Sequence, residues 1–317
     1  MGIKYKIVFS CFKNTIFEKQ IIVIQMRSII PGEISTGDLH QFLLGCVAPR
    51  PIAFVSTIDA NGKHNLAPYS FFNAFSSNPP IVVFSSNRRV RDNTTKDTLH
   101  NIEQTREAVI NVVSYDIVRQ MAVSSVEFDS GVSEFEKTGL TPIPSDIVKP
   151  PRVKESPAHL ECKVKEIIPL GDKGGAGHLI VCDVVKMHIK EKVIDANNRI
   201  DPHKIDLMGR MGRAYYVRAK GKNVFPIVQS VTEVTIGYDA LPESIRLSDE
   251  LTGNEIGLLS GATKMPTSDE IDELFELEDI NTIASNKDAI MSLAKAHLEL
   301  GDRDTALKLL LGSCETT

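Results

Sequence analysis

The feature that most limits this chain is a series of six strand-like stretches between residues 52 and 189, the first of them apolar and β-branched. The first, 52–58, ends at Asp59-Ala60-Asn61-Gly62-Lys63, whose Asn-Gly is a strong hairpin signal. A second extended stretch is read at 68–75, punctuated by Pro79-Pro80. Further strands are expected at 81–86, 108–113, 160–168 and 179–189. Helical patches interrupt them: 97–106, with Leu99 and Ile102 three apart, and 116–123. Ser133 and Glu136 have capping-box spacing, and Gly139 follows as a stop. Many short strands with few helices predict a mainly β fold, a barrel or sandwich rather than a doubly wound sheet.

Beyond residue 237 the character changes. Residues 238–266 read as loop, 268–277 as an acidic helix, and 287–298 with 304–311 as a helix pair. The pair is similar to one tetratricopeptide-type hairpin, which needs neighbours to bury its face. The expected division is therefore an extension at 1–26, a main domain at 27–236 and a small α-helical C-terminal appendage at 237–317. Residues 1–25 read as an extension that the fold does not need, or as an added edge strand.

Charge excludes some functions. Lys and Arg total 36 against 41 Asp and Glu, a net charge of −5, so a general nucleic-acid footprint is lacking. Trp is absent, which argues against a stacking platform for single strands. No apolar run approaches the roughly 18 residues of a membrane span. The cysteines are odd in number and widely spaced, without a zinc pattern, and predict reduced thiols in a cytoplasmic protein.

Three clusters could carry chemistry. Asn65-Leu66-Ala67-Pro68-Tyr69-Ser70-Phe71-Phe72-Asn73-Ala74 is either an ordinary strand or a bent one offering backbone groups to a planar ligand. Ser85-Ser86-Asn87-Arg88-Arg89 ends an apolar run with hydroxyls and guanidinium groups, a donor set suited to phosphate or a plain polar loop. Lys96-Asp97-Thr98 stands at a helix start, a natural anion site or simply a cap. Their closeness suggests one shared ligand. His188 and His203 read as structural before functional, and Arg50 as a phosphate partner or an anchor for the first strand. Gly171 to Gly177 is a hairpin loop, because no helix follows it.

Four motifs in order resemble a known family. They are Pro49-Arg50-Pro51-Ile52-Ala53-Phe54-Val55-Ser56-Thr57, the 65–74 segment above, Asn78-Pro79-Pro80-Ile81-Val82-Val83-Phe84-Ser85, and Lys96-Asp97-Thr98 with Asn101-Ile102. The chain resembles the flavin reductase-like domain over roughly 27–230, and more closely its flavoredoxin branch. The resemblance implies an FMN-binding split β-barrel, a homodimer with the cofactor near its interface, and hydride transfer from NADH or NADPH to flavin N5. It also implies that Thr57, Asn65, Ala67, Pro68, Ser70, Phe71 and Asn73 line the isoalloxazine. Ser85, Ser86, Arg88, Lys96, Asp97 and Thr98 would surround the ribityl phosphate. The alternatives are a flavoredoxin-type carrier with tightly held FMN, served by a protein electron-transfer partner or oxygenase, and a non-catalytic flavin-binding protein whose tail docks a partner.

Overall fold

In a computed structural model the described residues are 26–129, 132–227 and 232–315. The extension read at 1–25 lies outside them. The chain forms two compact units, Met1–Val224 and Phe225–Thr317, described separately below.

In the first unit the elements follow the apolar runs. Helix α1 (Thr36–Cys46) precedes β1 (Ala53–Ile58), β2 (His64–Tyr69), β3 (Phe72–Ser77) and β4 (Pro80–Asn87). Helix α2 (Asp97–Thr105) leads into β5 (Glu107–Val112), then α3 (Val118–Val123), α4 (Glu134–Thr138), β6 (Pro142–Ile143) and β7 (Arg152–Val153). The long strands β8 (Ala158–Pro169) and β9 (Gly177–Ile189) are followed by α5 (Pro202–Ile205), β10 (Met208–Arg210) and β11 (Tyr216–Arg218).

Seven strands form one antiparallel sheet in the order β2-β1-β5-β8-β9-β4-β3. The sheet curls until its ends approach. Tyr69 of β2 and Phe84 of β4 stand near opposite ends of that order, yet their rings lie 5.2 Å apart. Ser85 N also donates to Phe71 O at 2.8 Å. One apolar core fills the inside, with Ala53, Val55, Tyr69, Phe84, Ile110 and Ile180 among its members. A second core covers part of the outside, where Phe54, Leu66, Met121 and Phe135 pack with Val153 and Met208. β1 is therefore buried on both faces, which is why its run is apolar without alternation.

Some local expectations are corrected. The stretch 68–75 is not one strand. It breaks at Ser70 and Phe71, because β2 pairs with β1 while β3 pairs with β4. The capping box at Ser133 does not form: Ser133 makes no side-chain cap, and Glu134 turns to accept Leu66 N at 2.9 Å. Gly139 does end α4, with φ of 66°.

The second unit is helical. Its elements are α6 (Glu243–Arg246), α7 (Gly253–Ser260), α8 (Ser268–Phe275), α9 (Glu278–Asn281), α10 (Lys287–Glu299) and α11 (Arg303–Glu315). The 238–266 stretch is thus not all loop. α7 carries a full capping box between Thr252 and Glu255, but its eight residues include two glycines that weaken the pattern. The α10–α11 pair does not lack a partner. Ile290, Ala294 and Leu298 join Leu259, Leu307 and Leu310 in a core belonging to this unit. Ile290→Ala is expected to cost about 2–5 kcal/mol. Calorimetry should place the loss in a helical transition while the β-sheet signal melts unchanged; a shift of the sheet transition instead would show that the two units melt together.

Candidate functional site

Several elements of the curled sheet change from apolar to polar together. On β1, Ala53 and Val55 of the inner core are followed by buried Thr57, which pairs across the ladder with Asn65. On β4, Val82 and Phe84 are followed by buried Ser86. α2 adds Thr98 and Asn101 beside its core residues Leu99 and Ile102. Hydrogen bonds join these groups. Asn65 Nδ2 donates to Thr98 Oγ1 at 2.8 Å and to Thr57 Oγ1 at 3.2 Å, and Asn101 Nδ2 donates to Thr57 Oγ1 at 3.0 Å.

Tyr69 reaches this cap from the core, with its hydroxyl beside Thr98 and Ser86. Among the described residues neither Tyr69 Oη nor Ser86 Oγ makes a hydrogen bond of good geometry, although both are buried. Burial pushes the phenol up to about 12, so it remains a donor at any physiological pH. Lys96, at the N-cap of α2, places Nζ 5.0 Å from the centre of the Tyr69 ring. Burial lowers the Lys96 pKa and the Arg89 charge lowers it further, with Glu127 working the other way. Lys96 makes no ion pair among the described residues. Glu127 is engaged by Arg89 and Arg91.

An underprotected cation, unsatisfied hydroxyls and the positive end of a nine-residue helix form a set of donors in want of an acceptor. That arrangement suits an anion.

The structure links Thr57, Asn65, Ser86, Lys96 and Thr98 through this cap, with Asp97 exposed in the first turn of α2. Ser85 Oγ donates to Asn87 Oδ1 at 2.8 Å, and a Cβ at Gly177 would come within 2.5 Å of it. Arg88 donates to Asn93 Oδ1; Arg89 is the guanidinium whose charge Lys96 feels. Ala67 and Pro68 are half-buried in β2, and Asn73 is exposed on the edge strand β3. Ser70 and Phe71 lie beside Arg50.

Arg50 is an anchor. Its Nη1 donates to Leu44 O at 2.8 Å and to Val47 O at the end of α1, its Nη2 to Met211 O at 3.1 Å, and its Nε to Ser70 Oγ at 3.5 Å. Sequence reasoning passed over Tyr69, Asn101 and Arg89, all of which stand inside the quoted segments. It also passed over His178, which is buried and donates through Nδ1 to Ser86 O at 3.1 Å. The signal for Tyr69 was weak, since a Tyr among Pro and Phe reads as core.

The flavin reductase like domain model matches residues 44–204. An uncharacterized protein of Aquifex aeolicus is 40% identical over 184 residues, covering 58% of this chain and 91% of that protein. The crystal structure of nitrilotriacetate monooxygenase component B from Bacillus cereus is 31% identical with a TM-score of 0.60, covering 64% of this chain and 99% of its own. Pseudomonas fluorescens 2-nitrobenzoate 2-nitroreductase is 28% identical with a TM-score of 0.58, covering 67% of this chain and all of its own.

Within the matched span lies a second group of titratable side chains. Asp146, Glu161 and His188 bring ligand-type atoms within 4.8 Å of one another. Their lone pairs are already used. The Glu161 carboxylate accepts Asp146 N at 2.8 Å, Ile147 N at 2.7 Å, Val148 N at 3.1 Å and His188 Nε2 at 2.6 Å. Asp146 pairs with Lys186 and Arg152. This is a structural latch that ties the 146–148 turn to β8 and β9, and it gives His188 a structural role. Burial opposes the Glu161 charge, but these hydrogen bonds outweigh it and hold the carboxyl at about 2, below its ordinary 4.5. A depressed carboxyl stabilises the fold above the unfolded value and loses that contribution as pH falls through the folded one. Wild-type melting temperature should therefore fall between pH 4.5 and about 2. Glu161→Gln should start lower and fall less steeply over that window; parallel curves would remove Glu161 from the acid response.

Proposed function

The chain belongs to the flavin reductase-like family, and from that premise we propose an FMN-binding oxidoreductase that takes hydride from NADH or NADPH. Its fold is the split barrel of that family. The observation that carries the reading is the donor-rich cap at the start of α2, where among the described residues Lys96 makes no ion pair and two buried hydroxyls make no hydrogen bond.

These residues fit FMN better than a neutral flavin, because a phosphate would satisfy the cation and the hydroxyls together. In this reading Lys96, Ser86 and Thr98 hold the phosphate, with Ser85, Arg88 and Asp97 around it. Thr57 and Asn65 lie towards the ring, and the 67–73 segment lines it. FMN held there would supply the redox chemistry, as a hydride acceptor. The protein binds, orients and excludes water. Arg50 fixes Ser70 and Phe71 against the end of α1, so that the ring-lining segment is set before the ligand arrives.

A homodimer belongs to the same proposal. α1 has no buried residue and exposes Phe42, Leu43 and Val47, while Phe75 on edge strand β3 is 69% exposed. A second copy would cover these groups. A solution partner is also in keeping with the likeness to a monooxygenase component. No helix among the described residues is long and apolar enough to cross a membrane. A carrier with permanently held FMN is the second reading, favoured by the half-buried setting of Lys96.

Purified protein mixed with FMN should oxidise NADH or NADPH, and FMN that persists through gel filtration would favour the carrier. Lys96→Ala should weaken FMN about 10–150-fold and leave riboflavin nearly unchanged. Equal loss of both flavins would place Lys96 elsewhere.

A further inference from the structure

Tyr69 Oη is one of three buried side-chain polar atoms left without a hydrogen bond among the described residues. A buried hydroxyl without a partner is destabilising, and phenylalanine would fill the same space without that cost. The ring already has a structural role, packed in the inner core and 5.2 Å from Phe84. That role does not need the oxygen.

The surroundings narrow what the oxygen is for. Ser86 Oγ, its neighbour, is equally buried and equally unpartnered. Thr98 Oγ1, its other neighbour, already receives Asn65 Nδ2 at 2.8 Å. Lys96 Nζ stands over the same ring at 5.0 Å. A phenol, a serine hydroxyl and an ammonium thus converge with no negatively charged group among them. An acceptor with several oxygens and negative charge would answer all three.

We propose that Tyr69 is a ligand-binding residue of the phosphate site, its Oη a neutral donor to the flavin phosphate and its ring the support that holds the Lys96 ammonium in place. The inference deepens the functional reading above and rests on it. It assigns two separable jobs to one side chain, and it makes the site trade stability of the empty protein for selection of a phosphorylated flavin. Ser86 shares the first job.

Tyr69→Phe separates the two jobs, since it keeps the ring under Lys96 and removes only the donor. FMN affinity should fall about tenfold, while riboflavin affinity stays within twofold. The flavin-free variant should melt roughly 2–4 °C higher than wild type in the sheet transition, because an unsatisfied group has gone. Ser86→Ala should move both readouts in the same directions and serves as the second variant. Unchanged FMN affinity in both variants would overturn the assignment, as would equal loss of FMN and riboflavin. A lower melting temperature in both would show that the hydroxyls are structural and would overturn it too. Wild-type protein that binds neither flavin would instead sink the functional reading, and this role with it.

Discussion

A positive charge is carried to the end of an apolar core and left without a counter-ion. Lys96 stands on the Tyr69 ring, and Glu127, a carboxylate that favours its charge, is engaged by Arg89 and Arg91. Leaving an ammonium partly desolvated is unfavourable unless something completes it. The surrounding architecture serves that position. The sheet curls so that β2 and β4 meet, which brings Tyr69 and Ser86 side by side. α2 starts at Lys96 and offers its positive end to the same place. Asn65 and Asn101 pin Thr57 and Thr98, which fixes α2 to the first two strands.

Much of this was legible in the residues. β-branched runs marked β1, β4, β5, β8 and β9, because buried strands need such side chains wherever they sit in the sheet. The clustering of hydroxyls and a lysine at a strand end and a helix start, Ser86 with Lys96 and Thr98, was legible as well. Tyr69 and Arg89 were not, because their importance depends on which neighbours are missing. An unsatisfied hydroxyl is a property of three-dimensional placement, and sequence spacing holds no record of it. Arg50 was read with two possible roles, and the carbonyls of Leu44, Val47 and Met211 decide for the anchor. The break at Ser70 and Phe71 was hidden for a similar reason. Its cause is a change of pairing partner, from β1 to β4, and not a turn residue.

The helical unit has a different physics. It builds its own core, so its stability does not depend on finding a partner for one hairpin. Its composition differs sharply from the rest of the chain. Residues 225–317 hold 6 Lys or Arg and 18 Asp or Glu, a net charge of −12, while residues 1–224 hold 30 and 23, a net charge of +7. Opposite charge on two units governs encounter rates and solubility more than fold.

If Lys96 is held ready for an anion, its own titration will report it. Nitrogen NMR of the lysine ammonium, assigned by Lys96→Arg, can follow the group in the flavin-free protein and in the FMN complex. The account predicts a pKa below the ordinary 10.5 in the free protein, from burial and the Arg89 charge, and a rise when FMN binds, because a phosphate favours the charged form. Riboflavin should produce no such rise. A Lys96 pKa that is the same with and without FMN, in protein that demonstrably holds the flavin, would contradict the account.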